Sequence, residues 1–286
     1  HFLFFKGNLC RRFCGLESSD KMARFLQLTD LHIVKEGARA SNELDTRNIL
    51  KAAIDRLISL NDALAPIDAV LISGDLSDDG SADSYSYLKE QLARLSLPMF
   101  IVPGNHDLRE QMRKAFSDIC HMPGSGLIEW VRKIGNTVVI GLDTLVEGQS
   151  RGQLRLESID RVSRALQTIG SEPVIIMLHH PPIKTGIRFM DAIGLENSSA
   201  LMEAIQNIEN EIIVISGHVH GIHFGRLGGH VVATAPSICS NFALDRRLDA
   251  PVGFWKGSTG CAVIDTEDTI VWSALSLENA DGPFPF

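Results

Sequence analysis

Cysteine is scarce in this chain, long apolar stretches are missing, and basic residues fall short of acidic ones. The five cysteines, Cys10, Cys14, Cys120, Cys239 and Cys261, are odd in number and scattered, which argues against a disulfide framework and for reduced thiols in the cytoplasm. Cys10 and Cys14 form a CxxxC pair with no second Cys or His cluster beside it, so no zinc knuckle is expected there. Nothing reaches the ~18 consecutive apolar residues of a membrane span. With 27 Lys+Arg against 35 Asp+Glu the formal charge is −8, so an extended basic surface for nucleic acid is not expected. Any recognition of phosphate has to be local. Internal repeats and low-complexity linkers are also lacking, which leaves a single domain as the simplest organisation.

What the chain does have is apolar material: 286 residues with 44% hydrophobic content, enough for a substantial core. Residues 1–21 differ in character from the rest and are read as an upstream or added extension. The domain then runs from Met22 to Phe286. Short aliphatic runs recur through it: RFLQLT, DAVLISG, MFIVPG, VVIGLD, PVIIMLH, EIIVISG, HVVATA, GCAVID and TIVWSAL. Segments of helical period separate them, as in Asn48 to Leu64, where Ile49, Leu50, Ala53, Ile54, Leu57 and Ile58 share one stripe. This alternation predicts α/β layering. Antiparallel strands are expected around Gly228-Gly229 and after Gly260, so the sheets should be mixed. Three irregular stretches, Glu147 to Leu156, Ile183 to Asn197 and Ser237 to Ser258, are the expected substrate-facing loops, the last as a C-terminal segment of about 237–258.

The informative feature is a polar group at the end of one apolar run after another. Asp30-Leu31-His32 follows the first, Gly74-Asp75 the second, and Gly104-Asn105-His106-Asp107 the third. His179-His180-Pro181-Pro182 and Gly217-His218-Val219-His220 follow two later runs. Loops beyond the carboxyl ends of strands gather in one crevice, so groups distant in sequence can converge there. If the backbone stays extended, residues i and i+2 share a face, and Asp30 with His32, or His218 with His220, can aim two donors at one place. A carboxylate such as Asp75 can bridge two cations. Oxygen and imidazole donors without thiolate suit Mn²⁺, Fe, Zn²⁺ or Co²⁺. A lone DxH or GD is weak evidence, since Asp after a strand often only caps a turn or helix; the ordered series is much stronger. His121 and His230 have no such partners and are not expected to be ligands. His223 lies just beyond the last motif and is equally compatible with the pocket or the surface. Asp78 and Asp79 are expected to cap the helix that follows them.

The series DLH, GD, GNHD, HHPP and GHVH resembles the metallophosphoesterase superfamily, also called calcineurin-like phosphoesterases, from Arg24 to about residue 236. The details LTDLH, GDLSDDG, VPGNHD, LHHPP and SGHVHG are most similar to its cyclic-nucleotide phosphodiesterase and glycerophosphodiesterase branch. The resemblance implies a four-layer α/β/β/α sandwich with two mixed β-sheets. It implies two metal ions, Asp30, His32, Asp75 and His220 holding the first, with Asp75 bridging and Asn105, His179 and His218 completing the second. His179 is preferred to His180 because the family ligand is the histidine followed by x-Pro. His106 is the implied catalytic group, stabilising the developing charge or protonating the leaving oxygen, and Asp107 is read equally as its orienting partner or as a purely structural carboxylate.

The implied activity is hydrolysis of a small phosphodiester such as a cyclic nucleotide or a glycerophosphodiester. The alternatives are a phosphomonoesterase of the same fold and, less favoured because every ligand position is filled, a non-catalytic scaffold. The substrate partner is then a small molecule, and the composition is compatible with a homo-oligomer.

Overall fold

The computed structural model describes residues 22–257, 259–278 and 284; the expected extension, with Cys10 and Cys14, lies outside them. In chain order the first half comprises strand β1 (Arg24–Leu28), helices α1 (Thr46–Ser59) and α2 (Asn61–Leu64), strand β2 (Ala69–Ile72), helix α3 (Ala82–Ala93), strand β3 (Met99–Ile101), helix α4 (Arg109–Ala115) and strands β4 (Trp130–Ile134) and β5 (Thr137–Gly141). There follow β6 (Gly152–Gln153), α5 (Leu156–Thr168), β7 (Val174–Met177), α6 (Arg188–Ala192), β8 (Leu195–Glu196), α7 (Ser198–Ile205) and β9 (Ile212–Ser216). The chain closes with β10 (His223–Leu227), β11 (His230–Thr234), β12 (Asn241–Phe242), β13 (Phe254–Trp255), β14 (Gly260–Asp265) and β15 (Val271–Ser276).

Two mixed sheets dominate, one of order β15-β14-β1-β2-β3 and one of order β10-β11-β9-β7-β5-β4. Parallel pairing runs from β1 through β2 to the edge strand β3 in the first, and through the middle strands β5, β7, β9 and β11 in the second. Antiparallel strands flank them, including the β10–β11 hairpin, which turns at Gly228 and Gly229, both with positive φ. Two successive left-handed residues make the turn whose twist matches a two-residue hairpin.

The layering follows from side-chain alternation. Phe25, Ala69, Leu71 and Phe100 of the first sheet meet Val139, Ile175, Met177, Ile213 and Ile215 of the second in a core between the sheets. The alternate residues Leu26, Leu28, Val70 and Ile72 pack outward with Leu50, Ile54, Leu88 and Met112 of α1, α3 and α4. On the far side, Ile140, Val174, Ile176 and Val214 pack with Val162 and Leu166 of α5 and Leu201 and Ile205 of α7. Helices, sheet, sheet, helices give the expected four layers. Helix α1 shows the local logic: the Asp45 side chain accepts the Asn48 N–H at its start, and Leu50, Ala53, Ile54 and Leu57 are buried on one stripe while Ile58 stays exposed. Truncating one of these, Leu50→Ala, should cost roughly 2–5 kcal/mol.

Candidate active site

Both sheets deliver their polar residues to one end of the sandwich. Asp30 and His32 follow β1, Asp75 follows β2, and Asn105 and His106 follow β3; His179 follows β7 and His218 and His220 follow β9. The means is not the extended backbone expected from the i, i+2 spacing. Asp30, His32, Asp75, His218 and His220 all have positive φ, between 46° and 70°, a left-handed conformation uncommon outside glycine. That strain is held by backbone bonds between loops, such as Asp30 N–H to Gly74 O and His32 N–H to Asp75 O, and strain of this kind gathers at functional sites. Close approach also needs glycine at two positions. A Cβ on Gly74 would enter the His179 ring, and one on Gly104 would enter the Asp75 carboxylate and its backbone N–H.

The donor atoms face one another. His32 Nδ1 donates to Asp78 Oδ1 at 2.9 Å, and His179 Nδ1 donates to the Ser73 carbonyl at 2.8 Å. Neither acceptor can return a proton, so it is Nε2 of each ring that faces inward, and it offers a lone pair there once the ring is neutral. There, His32 Nε2 lies 3.1 Å from His220 Nε2 and 3.5 Å from Asp75 Oδ2. His179 Nε2 lies 3.2 Å from Asp75 Oδ2 and 3.2 Å from Asn105 Oδ1. His220 Nε2 is 3.6 Å from Asp30 Oδ1, with its Nδ1 on Ser240 Oγ at 3.0 Å. His218 places its ring Nε2 against the Ile193 carbonyl and its backbone N–H on both oxygens of Asp30. Acceptors that face acceptors are satisfied only by protons or cations between them. Asp30, His32 and Asp75 form one group compact enough for an ion, and His179, His180 and His218 another.

Electrostatics shows the same demand for positive charge. Burial drives His218 down to about 3, helped by the neighbouring His179, and burial with His32 beside it holds His220 well below the usual histidine range. Both rings are therefore neutral at neutral pH and can offer a lone pair. Burial opposes charge on His179 as well, yet the adjacent Asp75 carboxylate holds it up at about 9. Burial would raise Asp75, but His179, then His106 and His32, hold it well below the usual carboxylate range. Burial pushes Asp30 up to about 6. The carboxylates draw positive charge onto His179 while His218 and His220 stay neutral, and divalent cations would supply that charge in place of the proton; the oxygen and nitrogen donors fit the harder transition metals.

The neighbours of these donors sharpen the sequence-based expectation. Asp107 does not orient His106: its carboxylate accepts the N–H groups of Leu76, Ser77 and Gly104 and the Tyr85 hydroxyl, at 2.9–3.1 Å. It ties the loop after β3 to the loop after β2 and is a positioning residue. The group beside His106 is Asp78, whose Oδ1 lies 3.2 Å from His106 Nδ1 while also accepting from His32. The helix cap itself is Ser81, whose Oγ accepts the Ser84 N–H, and Asp79 supports that turn by taking Ser81 N–H and Ser84 Oγ. Cys239 brings a thiol into a donor set expected to lack one, its Sγ within 4.8 Å of ligating atoms of His32 and His220. His180 turns away, to Thr144 Oγ1 and the Ser150 carbonyl.

The donors floor a cleft of about 430 Å³ that His106 also lines, within the roughly 300–1,000 Å³ of small-molecule sites. All three irregular stretches reach it: Ser150 from the first, Phe189, Met190 and Ile193 from the second, and Cys239, Ser240, Phe242, Val252 and Phe254 from the third. The loop between β1 and α1 adds Ala40, Ser41 and Leu44. His223 lines a neighbouring groove of about 750 Å³ instead. Of the arginine pair, Arg247 is held by Asp245, and neither it nor Arg246 lines the cleft.

A family model described as calcineurin-like phosphoesterase matches residues 23–221. The chain is 31% identical over 232 residues to the 3',5'-cyclic adenosine monophosphate phosphodiesterase CpdA of Pseudomonas aeruginosa, covering 81% of this chain and 82% of that one. It is 28% identical over 264 residues to the protein named "Probable glycerophosphodiester phosphodiesterase GpdQ" of Arcobacter nitrofigilis, covering 91% and 96%. Among solved structures, a dimetal phosphatase from Danio rerio superposes with a TM-score of 0.63 at 13% identity, covering 90% of this chain and 96% of that one. That last likeness concerns the fold.

Proposed function

The chain belongs to the calcineurin-like phosphoesterase family, and on that premise we propose that it hydrolyses small phosphodiesters, cyclic nucleotides or glycerophosphodiesters, with a pair of divalent metal ions. The observation that carries this reading is the convergence of Asp30, His32, Asp75, Asn105, His179 and His220 from both sheets with their donor atoms facing one another, and the His218 ring beside that of His179. Asp30, His32, Asp75 and His220 would hold one ion, and Asp75, Asn105, His179 and His218 the other, chosen from Mn²⁺, Fe, Zn²⁺ and Co²⁺. When bound, such a pair supplies Lewis acidity and neutralises charge on the phosphoryl oxygens.

The chain's own residues supply the rest. Asp78 fixes the orientation of the His106 ring through Nδ1, leaving Nε2 as the nitrogen that can pass a proton to the departing oxygen. Asp107 and the backbone bonds it accepts keep the loop carrying His106 against the loop carrying Asp75. The cleft walls receive the ester substituents and exclude water. A diester is favoured over a monoester because, among the described residues, no Lys or Arg lines the cleft to meet a second phosphoryl charge. A cytoplasmic setting is supported by the free thiols of Cys120, Cys239 and Cys261, and no helix among the described residues is long and apolar enough to cross a membrane.

The test is a panel of matched diesters and monoesters assayed after chelation and after adding Mn²⁺, Zn²⁺ or Fe²⁺ separately. Diester turnover should vanish with chelator and return with metal. A preference for the monoester in every metal would overturn the reading.

A further inference from the structure

The walls of the cleft are more selective than its floor. Beside the donor cluster, the short ribbon of β12 and β13 sets Phe242 directly opposite Phe254. Opposed residues of an antiparallel pair share a face, and both rings line the cleft, whereas Asn241 and Trp255, one position along, line the neighbouring groove. Phe242 borders both the cleft and that groove; its ring lies 4.4 Å from the His220 ring at 32°, and Phe189 meets it edge-on at 5.2 Å and 88°. Phe242 thus reaches the donor cluster from one side and the aromatic wall from the other. Met190, Ile193 and Val252 complete an apolar rim.

Charge is distributed just as unevenly. Among the described residues that line the cleft there is no lysine or arginine, and the acidic ones, Asp75 and Asp78, lie at the floor. A substituent carrying a second phosphate or carboxylate would lose its hydration there with no cation to replace it. A polyol would likewise exchange water for rings that cannot accept its hydrogen bonds well. A planar, uncharged group would gain both apolar burial and stacking.

Resting on the diesterase reading above, we propose that Phe242, Phe189 and Phe254 form a charge-free aromatic subsite for the ester substituent, that it takes planar neutral groups such as nucleobases in preference to glycerol-type or doubly anionic ones, and that Phe242 is the residue that determines this specificity. Phe242 acts by contact with the substituent rather than with the reacting phosphorus, so its effect falls on binding more than on turnover.

The experiment uses the full chain in two states. Calorimetric titration of the metal-free protein with adenosine, and separately with glycerol, reports the subsite without any chemistry. Steady-state kinetics of the metal-loaded protein on a cyclic nucleotide and on glycerophosphocholine reports its consequence. The parent should bind adenosine and not glycerol. Phe242→Ala should weaken adenosine binding about tenfold or more, and raise KM for the cyclic nucleotide by more than it lowers kcat. Phe242→Tyr should restore both, because it keeps the ring. Phe242→Leu, which keeps apolar bulk without the ring, should behave like the alanine variant and decides the matter if that variant does not fold. Equal binding of glycerol and adenosine by the parent, or a leucine variant indistinguishable from the parent, overturns the subsite. Adenosine binding intact with no diester hydrolysed under any metal would instead sink the diesterase reading and leave the subsite standing.

Discussion

His179 is wholly buried and His218 is 4% exposed at the catalytic floor, and His121, also 4% exposed, lies between Phe100 and Trp130 beneath β3. Burial therefore does not separate a working histidine from a structural one. At the floor each ring has one nitrogen tied outward, to Ser73 or Ile193, while the group as a whole turns donors toward Asp75, Asn105 and other imidazoles. His121 accepts the Ile101 N–H through Nε2, has no partner for Nδ1 and packs on two aromatic faces. The first arrangement demands positive charge at its centre, and the second rejects it. Convergence of lone pairs, rather than depth, marks the site.

The contrast breaks most sharply at Asp75, the carboxylate that sits between His179 and His32. Asp75→Ala should lose both metals, since two cations without a shared carboxylate repel one another. Its activity should fall by more than the roughly 10–100-fold expected of a residue that only orients a ligand. Elemental analysis of the purified variant checks this, and near-full occupancy would remove Asp75 from a bridging role.

A smaller loss is expected at His106. His106→Ala should retain its metals while turnover drops about 10²-fold or more, the scale of one proton-transfer or charge-stabilising group. Asp78→Asn should reproduce part of that loss by freeing the His106 ring. A collapse of metal content in His106→Ala would place His106 among the ligands and redraw the boundary between floor and wall.

These residues differ in how well the sequence announces them. Asp30, His32, Asp75, Asn105, His179, His218 and His220 each follow an apolar run that becomes a central strand, or lies in the loop directly beyond it, so strand periodicity and the polar residue at its end jointly mark them. The backbone that aims them was not legible, because left-handed φ at Asp30 or His218 is imposed by bonds between loops far apart in sequence. Asp78 and Asp79 are chemically identical neighbours, and only the turn geometry decides that one meets two histidines and the other braces the Ser81 turn that starts α3. Phe242 lies in the third stretch that the sequence marks as substrate-facing, but its pairing with Phe254 was not legible, because strands of two residues carry no readable period. Asp107, beside His106 in sequence, points the opposite way because three backbone N–H groups and a tyrosine hydroxyl capture its carboxylate.

The smallest effect on activity is expected at His121, and there the comparison can be sharpened by pH. Burial first, and Arg132 second, push its folded-state value down to about 3 from the ordinary 6.5. Between those values the unfolded chain binds a proton that the folded protein refuses, so stability rises with pH across the window. The contribution is fully present above about 6.5 and is lost as pH falls toward 3, at a limiting slope of about 1.4 kcal/mol per pH unit for one group. His121→Gln keeps an acceptor for the Ile101 N–H but cannot titrate. Thermal melts from pH 7 to pH 4 should therefore show a shallower acid limb in the variant than in the parent, while turnover at pH 7 is unchanged because His121 is not among the residues that line the cleft. Parallel acid limbs would mean that the folded protein accepts the proton at His121 after all, and that its pocket tolerates the charge which the contrast with the catalytic floor says it should reject.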